Sequence, residues 1–163
     1  MKTSTKNLCV TAVFMALVFV VTRFIQIPIP LGYFNVGNTV ILLACILTPS
    51  PYGIIAGCIG SALADLTSYP AYTIPTAIIK LLFPLVFYLM AKIEIKGKKA
   101  YILAAAISTL IPLFGYTITG GILYGGFIEG LAQFPGLFLE YLANLLLFSL
   151  LYKPTIKIAE KTL

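Results

Sequence analysis

Ile74-Pro75-Thr76-Ala77-Ile78-Ile79-Lys80-Leu81-Leu82-Phe83-Pro84-Leu85-Val86-Phe87-Tyr88-Leu89-Met90-Ala91 is almost wholly apolar and carries one ionisable side chain, Lys80. A helix of about 20 such residues matches the hydrocarbon thickness of a bilayer. Five further apolar runs flank it, at residues 8–27, 36–47, 52–66, 101–118 and 134–152. The whole chain has 163 residues, 60% of them hydrophobic and only 10% charged, with a mean hydropathy of +1.04. A soluble domain carries about 25% charged residues, so this one has too little polar surface to face water on all sides. The expectation is an all-α membrane protein, a six-transmembrane-helix bundle forming one domain over residues 1–163. The second and third runs are short, and Thr48-Pro49-Ser50-Pro51 between them is a strong breaker. They read as a helical hairpin, with a single re-entrant or broken element as the alternative.

The basic residues orient the bundle. Six passes with both termini on one side place the N-terminus, residues 92–100 and the C-terminal tail together. These segments hold Lys2, Lys6, Lys92, Lys96, Lys98, Lys99, Lys153, Lys157 and Lys161, nine of the eleven basic residues. The positive-inside rule then makes both termini cytoplasmic. The net charge of +6 therefore reports topology, and no basic patch interleaved with aromatics points to nucleic acid. Lys2, Lys6 and the apolar run after them resemble a secretory signal superficially. No small-x-small cleavage site follows, so the run is read as a retained first helix. The opposite side is nearly uncharged. Its connections, residues 26–35, 67–73 and 119–133, are rich in Pro, Gly, Tyr, Thr and Asn. The last is long enough to suggest a functional loop. Tyr33, Tyr69, Tyr72 and Tyr124 gather there, where an interfacial aromatic belt would also place them.

Several classes of activity are excluded by the absence of their motifs. There is no histidine, and Cys9, Cys45 and Cys58 stand singly within apolar runs, which reads against zinc or haem sites. Neither a G-x-x-x-x-G-K-[ST] loop nor an H-E-x-x-H or G-x-S-x-G motif is present. The chain is read as no enzyme, with no cofactor of its own.

An ionisable group at membrane depth is costly and needs a partner or a task. Asp65 ends the third run, Lys80 lies about two turns into the fourth, and Glu140 and Asn144 are four apart in the sixth, on one helical face. Either Lys80 pairs with Asp65 or Glu140 and pins the bundle, or these groups line an outward-facing pocket for a polar solute. Arg23 reads as an interfacial anchor and Glu129 as a solvated loop residue. Gly53, Gly57, Gly60, Ser61 and Ala64 give the third helix a flat face for close packing. Ala12 and Ala16 form a weaker patch with no assigned internal partner.

The stretch Ile27-Pro28-Ile29-Pro30-Leu31-Gly32-Tyr33-Phe34-Asn35-Val36-Gly37-Asn38-Thr39, followed by Pro51-Tyr52-Gly53, Gly57, Gly60-Ser61-Ala62-Leu63-Ala64-Asp65-Leu66, Tyr72, Pro75-Thr76 and Ile78-Ile79-Lys80, resembles the substrate-binding S components of energy-coupling factor (ECF) vitamin transporters. It is most similar to the riboflavin, hydroxymethylpyrimidine and pyridoxine branch. The resemblance implies a multi-pass protein of the bacterial cell membrane that captures a vitamin at its outer face. It implies as partners a transmembrane coupling subunit and two ATPase subunits, which use the ATP, and delivery by toppling of the S component. On this reading the substrate-binding residues are Tyr33, Asn35, Asp65, Tyr72, Lys80, Tyr116, Glu140 and Asn144. The family's small-residue patch for the coupling subunit falls on Thr11, Ala12 and Ala16, with threonine in place of an alanine. Two departures bear on the substrate. Asn38 stands where the family often has aspartate, and Leu137 and Glu140 replace the amide pair of P-G-N-x-x-Q in Pro135-Gly136-Leu137-Phe138-Leu139-Glu140. A carboxylate suits an aminopyrimidine or pyridinium edge, so the expected ligand is a small pyrimidine or pyridine vitamin. The alternatives are a riboflavin-specific S component and a self-contained secondary transporter. The latter is often built from inverted repeats, and none is evident in this sequence.

Overall fold

The computed structural model describes residues 5–30, 32–91 and 98–162. In chain order these form α1 (Thr5–Phe24), a hairpin of β1 (Ile27–Ile29) and β2 (Gly32–Phe34), and α2 (Gly37–Leu47). Next come α3 (Tyr52–Ser68), a 3-10 turn (Pro70–Tyr72), α4 (Thr73–Ala91), α5 (Lys98–Ser108), α6 (Leu110–Tyr124) and α7 (Phe127–Thr162). α5 and α6 form one interrupted pass, so the described residues make six helical passes. Lys2, Lys92 and Lys96 of the charge argument lie outside the described residues.

The surface is inverted relative to a soluble protein. Ile74, Ile122, Phe127 and Ile128 are each more than 70% exposed, while Asp65, Lys80 and Glu140 are buried. Such a pattern is stable where the surroundings are lipid. Four helical stretches are long and apolar enough to cross a bilayer: Thr5–Phe24, Pro70–Ala91, Ala100–Tyr124 and Phe127–Glu160. α2 has 11 residues and spans about 16 Å at about 1.5 Å per residue. It therefore starts partway down the bundle, and the β-hairpin occupies the depth its upper turns would have filled. Non-helical backbone at such a level is tolerated where it lines a cavity.

Close packing follows the small residues of α3. A side chain on Gly60 would come within 2.6 Å of the Met15 carbonyl oxygen on α1, so only glycine lets the two backbones approach this closely. Gly53 and Gly57 face Cys45 and Ile41 of α2 in the same way. At the end of the bundle away from the hairpin lies a dry core of Val18, Ile41, Leu42, Phe83, Phe87 and Phe148. Phe87 and Phe148 meet edge to face with ring centres 5.9 Å apart, the favoured arrangement of two quadrupoles.

Two expectations are corrected. Residues 119–133 are no loop: α6 runs through Tyr124 and α7 begins at Phe127. The reversal is made by Gly125, whose φ of +96° suits glycine alone. Gly120 and Gly121 suggested a loop, yet without competing water the helical hydrogen bonds hold, and glycine lets α6 and α7 pack closely. Glu129, expected in that loop, is exposed on the first turn of α7, where a negative charge complements the helix dipole. The first helix also ends earlier than residue 27, because Ile27 pairs with Phe34 in the antiparallel hairpin.

Candidate functional site

Helix lengths and connections bring the hairpin, the upper ends of α1, α3, α4 and α6, and the first half of α7 around one cleft. It encloses about 450 Å³ of empty space, its open mouth included. Tyr33, Asn35, Asp65, Tyr72, Lys80, Tyr116 and Glu140 all line it, so seven of the eight expected site residues converge. They range along the chain from Tyr33 to Glu140, and the bundle's alternation of up and down passes unites them.

Asp65, at the upper end of α3, accepts hydrogen bonds from the Tyr33 hydroxyl on β2 and the Thr76 hydroxyl on α4. The Thr76 hydroxyl lies 3.0 Å from that of Tyr116 on α6. Four elements are thereby tied to one carboxylate. Burial, reinforced by the facing Asp65, raises the Tyr33 phenol above its ordinary pKa, so Tyr33 remains a donor. Its ring lies 5.3 Å from that of Tyr69, giving the mouth an aromatic wall.

The second cluster is built on Asn38. The Lys80 ammonium donates to the Asn38 amide oxygen, and the Asn38 amide nitrogen donates to Glu140 at 3.1 Å. An amide therefore bridges the cation and the carboxylate, where direct pairing of Lys80 with Asp65 or Glu140 had been one expectation. The ammonium also lies 5.3 Å from the centre of the Tyr116 ring, a favourable cation–π placement. The arrangement offers a planar ligand an aromatic face, a carboxylate acceptor from two sides, and a cation held in reserve.

Asn144 stands apart. It is fully buried, and its amide oxygen accepts from the Thr39 backbone and hydroxyl, each at 2.8 Å. Its amide nitrogen donates to the Asn35 and Glu140 carbonyls, each at 2.9 Å. These four bonds exhaust what an amide can make, so Asn144 clamps α2 and the hairpin exit onto α7. Asn35 lines the cleft, but its side-chain oxygen caps the turn into α2 by accepting from Gly37 at 2.7 Å.

Other lining residues were not expected. Gln133 is buried and exchanges hydrogen bonds with Tyr72, its nitrogen 3.2 Å from the phenol oxygen. It had been read as a loop residue. Thr22, Ser61, Tyr69, Thr76 and Leu137 complete the wall. The lipid-facing side of α1 carries Ala12 and Ala16, both exposed, whereas Thr11 is buried and bonds the Asn7 carbonyl at 2.6 Å. Arg23 stacks its guanidinium on Phe24 at 5.6 Å, in keeping with an anchor at the interface.

Comparison with known proteins agrees with this fold. A family model described as "ECF-type riboflavin transporter, S component" matches residues 2–156. An uncharacterized protein of Pyrococcus woesei is 33% identical over 113 residues, covering 66% of this chain and 74% of that one. The solved structure of the S component of a bacterial ECF transporter superposes with a TM-score of 0.75 at 22% identity, over 94% of this chain and 96% of the other. At that identity the likeness speaks for the fold.

Proposed function

The chain belongs to the ECF-type S components, the membrane-embedded substrate-binding subunits of these transporters, and from that premise we propose that it captures a small pyrimidine- or pyridine-type vitamin such as hydroxymethylpyrimidine or pyridoxine. It is a transporter subunit and not an enzyme. The observation that carries the substrate reading is the Lys80–Asn38–Glu140 bridge at the cleft, with Asp65 on another wall. A carboxylate accepts a hydrogen bond from the amino group of an aminopyrimidine, and a second where the adjacent ring nitrogen is protonated, or takes the proton-bearing nitrogen of a pyridinium.

The hairpin end faces the outside and both termini face the cytoplasm, as the described Lys6, Lys153 and Lys157 at the opposite end favour. A coupling subunit docks on the exposed Ala12 and Ala16 of α1, and two ATPase subunits drive toppling and release. Co-purification of that assembly, and vitamin uptake that requires ATP, test the partner reading. Transport by this chain alone in ATP-free liposomes would overturn it.

A second reading, riboflavin, is favoured by the description of the matched family. Calorimetric titration of the purified protein separates the two. Hydroxymethylpyrimidine or pyridoxine is expected to bind tightly, and Glu140→Gln to weaken that binding. Nanomolar riboflavin binding without response to the smaller rings establishes the second reading instead.

A further inference from the structure

We infer that Thr22 and Ser61 form an uncharged subsite of the cleft that takes a hydroxyl group of the ligand. The inference rests on the reading of this cleft as the capture site, and adds to it a chemical requirement on the cargo. Both side chains line the cleft, Thr22 from α1 and Ser61 from α3. Both are almost completely buried, at 3% and 1% exposure. The hydroxyl oxygen of each is nevertheless without a hydrogen-bond partner.

Among the buried side-chain polar atoms of the described residues only the hydroxyl of Thr73, which does not line the cleft, shares that state. The hydroxyls of Thr11, Thr48, Thr109 and Thr155, equally buried, each donate to the carbonyl four residues earlier, at 2.6–2.8 Å. This back-bond is the default for a helical Ser or Thr with nothing else to meet. Thr22 and Ser61 forgo it. A buried hydroxyl left unpaired is destabilising, and here two such groups face the same space. The Thr22 hydroxyl lies against Gly37, where a Cβ would collide with it.

The chemistry of the missing partner follows from what the other walls have already satisfied. Asp65 is held by Tyr33 and Thr76, and Lys80 and Glu140 share Asn38. Thr22 and Ser61 are neutral groups that both donate and accept, so a hydroxyl matches each in kind, while Asp65, one turn from Ser61 on α3, already holds Tyr33 and Thr76. The cargo is thus a ring that carries at least one hydroxyl, seated against Thr22 and Ser61. Ser61 had been read as part of a packing stripe, and the orphaned oxygen is what distinguishes it from Gly57 and Ala64.

The test is calorimetry with three probes, each beside a counterpart lacking the hydroxyl. The pairs are pyridoxine with 2,4,5-trimethylpyridine, 4-amino-5-hydroxymethyl-2-methylpyrimidine with 4-amino-2,5-dimethylpyrimidine, and riboflavin with lumiflavin. For whichever probe the wild type binds, Thr22→Val and Ser61→Ala are each expected to weaken the hydroxylated member at least tenfold. The same variants should change the counterpart's affinity less than twofold, and Thr22→Ser should retain the wild-type preference. Ligand-free Thr22→Val and Ser61→Ala should melt at or above the wild-type temperature, since each removes an orphaned group. Equal losses for both members of a pair, no loss at all, or a lowered ligand-free melting temperature would overturn the inference while leaving the capture reading intact. Wild-type protein that binds none of the three probes brings down the capture reading, and this inference with it.

Discussion

The two ends of the bundle solve opposite problems with the same helices. Away from the hairpin, Phe83, Phe87 and Phe148 pack with Val18, Ile41 and Leu42 into the hydrophobic core. Toward the hairpin, the same α4 and α7 turn Lys80 and Glu140 inward, and α3 and β2 bring Asp65 and Tyr33. The first end is held by contact area and ring geometry, which tolerate no gaps. The second is held by hydrogen bonds that a ligand can enter. Stability and recognition are therefore separable along the axis of single helices: in α4, Phe83 and Lys80 lie less than one turn apart.

Four substitutions probe that separation, from the largest expected effect downward. Phe148→Ala should destabilise the protein by about 3–5 kcal/mol, as large-to-small changes in tight cores do, lowering the melting temperature in detergent while ligand affinity stays within threefold. A large affinity loss would break the division between the ends. Glu140→Gln should act inversely. It keeps the shape and removes the charge that accepts from Asn38 and is proposed to accept from the ligand, so titration should show a loss of about 2–3 kcal/mol with little change in melting temperature. For Tyr33→Phe the expected loss is about 1 kcal/mol, because Asp65 keeps Thr76 as a partner. Ala16→Trp should leave binding by the isolated subunit unchanged and abolish ATP-driven uptake by the assembled transporter. Unimpaired uptake would remove the α1 face from the docking surface.

Much of this architecture was legible in the chain because lipid penalises polarity so heavily. Pro49 and Pro51 bound α2 and α3 closely, and the burden of burying Asp65, Lys80 and Glu140 marked them as a set. Residues 119–133 were misread because Gly120 and Gly121 imply a loop only where water competes for the backbone, whereas the turn is confined to Gly125 and Gly126. Gln133 was lost with that segment. Asn144 shares a face with Glu140, as its spacing implied, yet spacing does not reveal that the Thr39 and Asn35 backbones already claim its amide. Thr22 carried no signal, and Ser61 and Thr76 were noticed only in a packing stripe and a family motif, since a neutral hydroxyl in a membrane helix usually bonds its own backbone. Asn38 was noticed only as a departure from the family pattern, and its bridging role needed the approach of α4 and α7.

The hairpin has an evolutionary corollary. Its strands pair Pro28 with Tyr33 and Ile29 with Gly32, and side chains in such a ribbon alternate strictly between its two faces. Deleting or inserting one residue within either strand would swing Tyr33 away from Asp65, whereas changes of two would preserve its aim. Length variation among descendants of this chain should accordingly come in even steps here, a parity rule that the helical passes, with their longer period, do not impose.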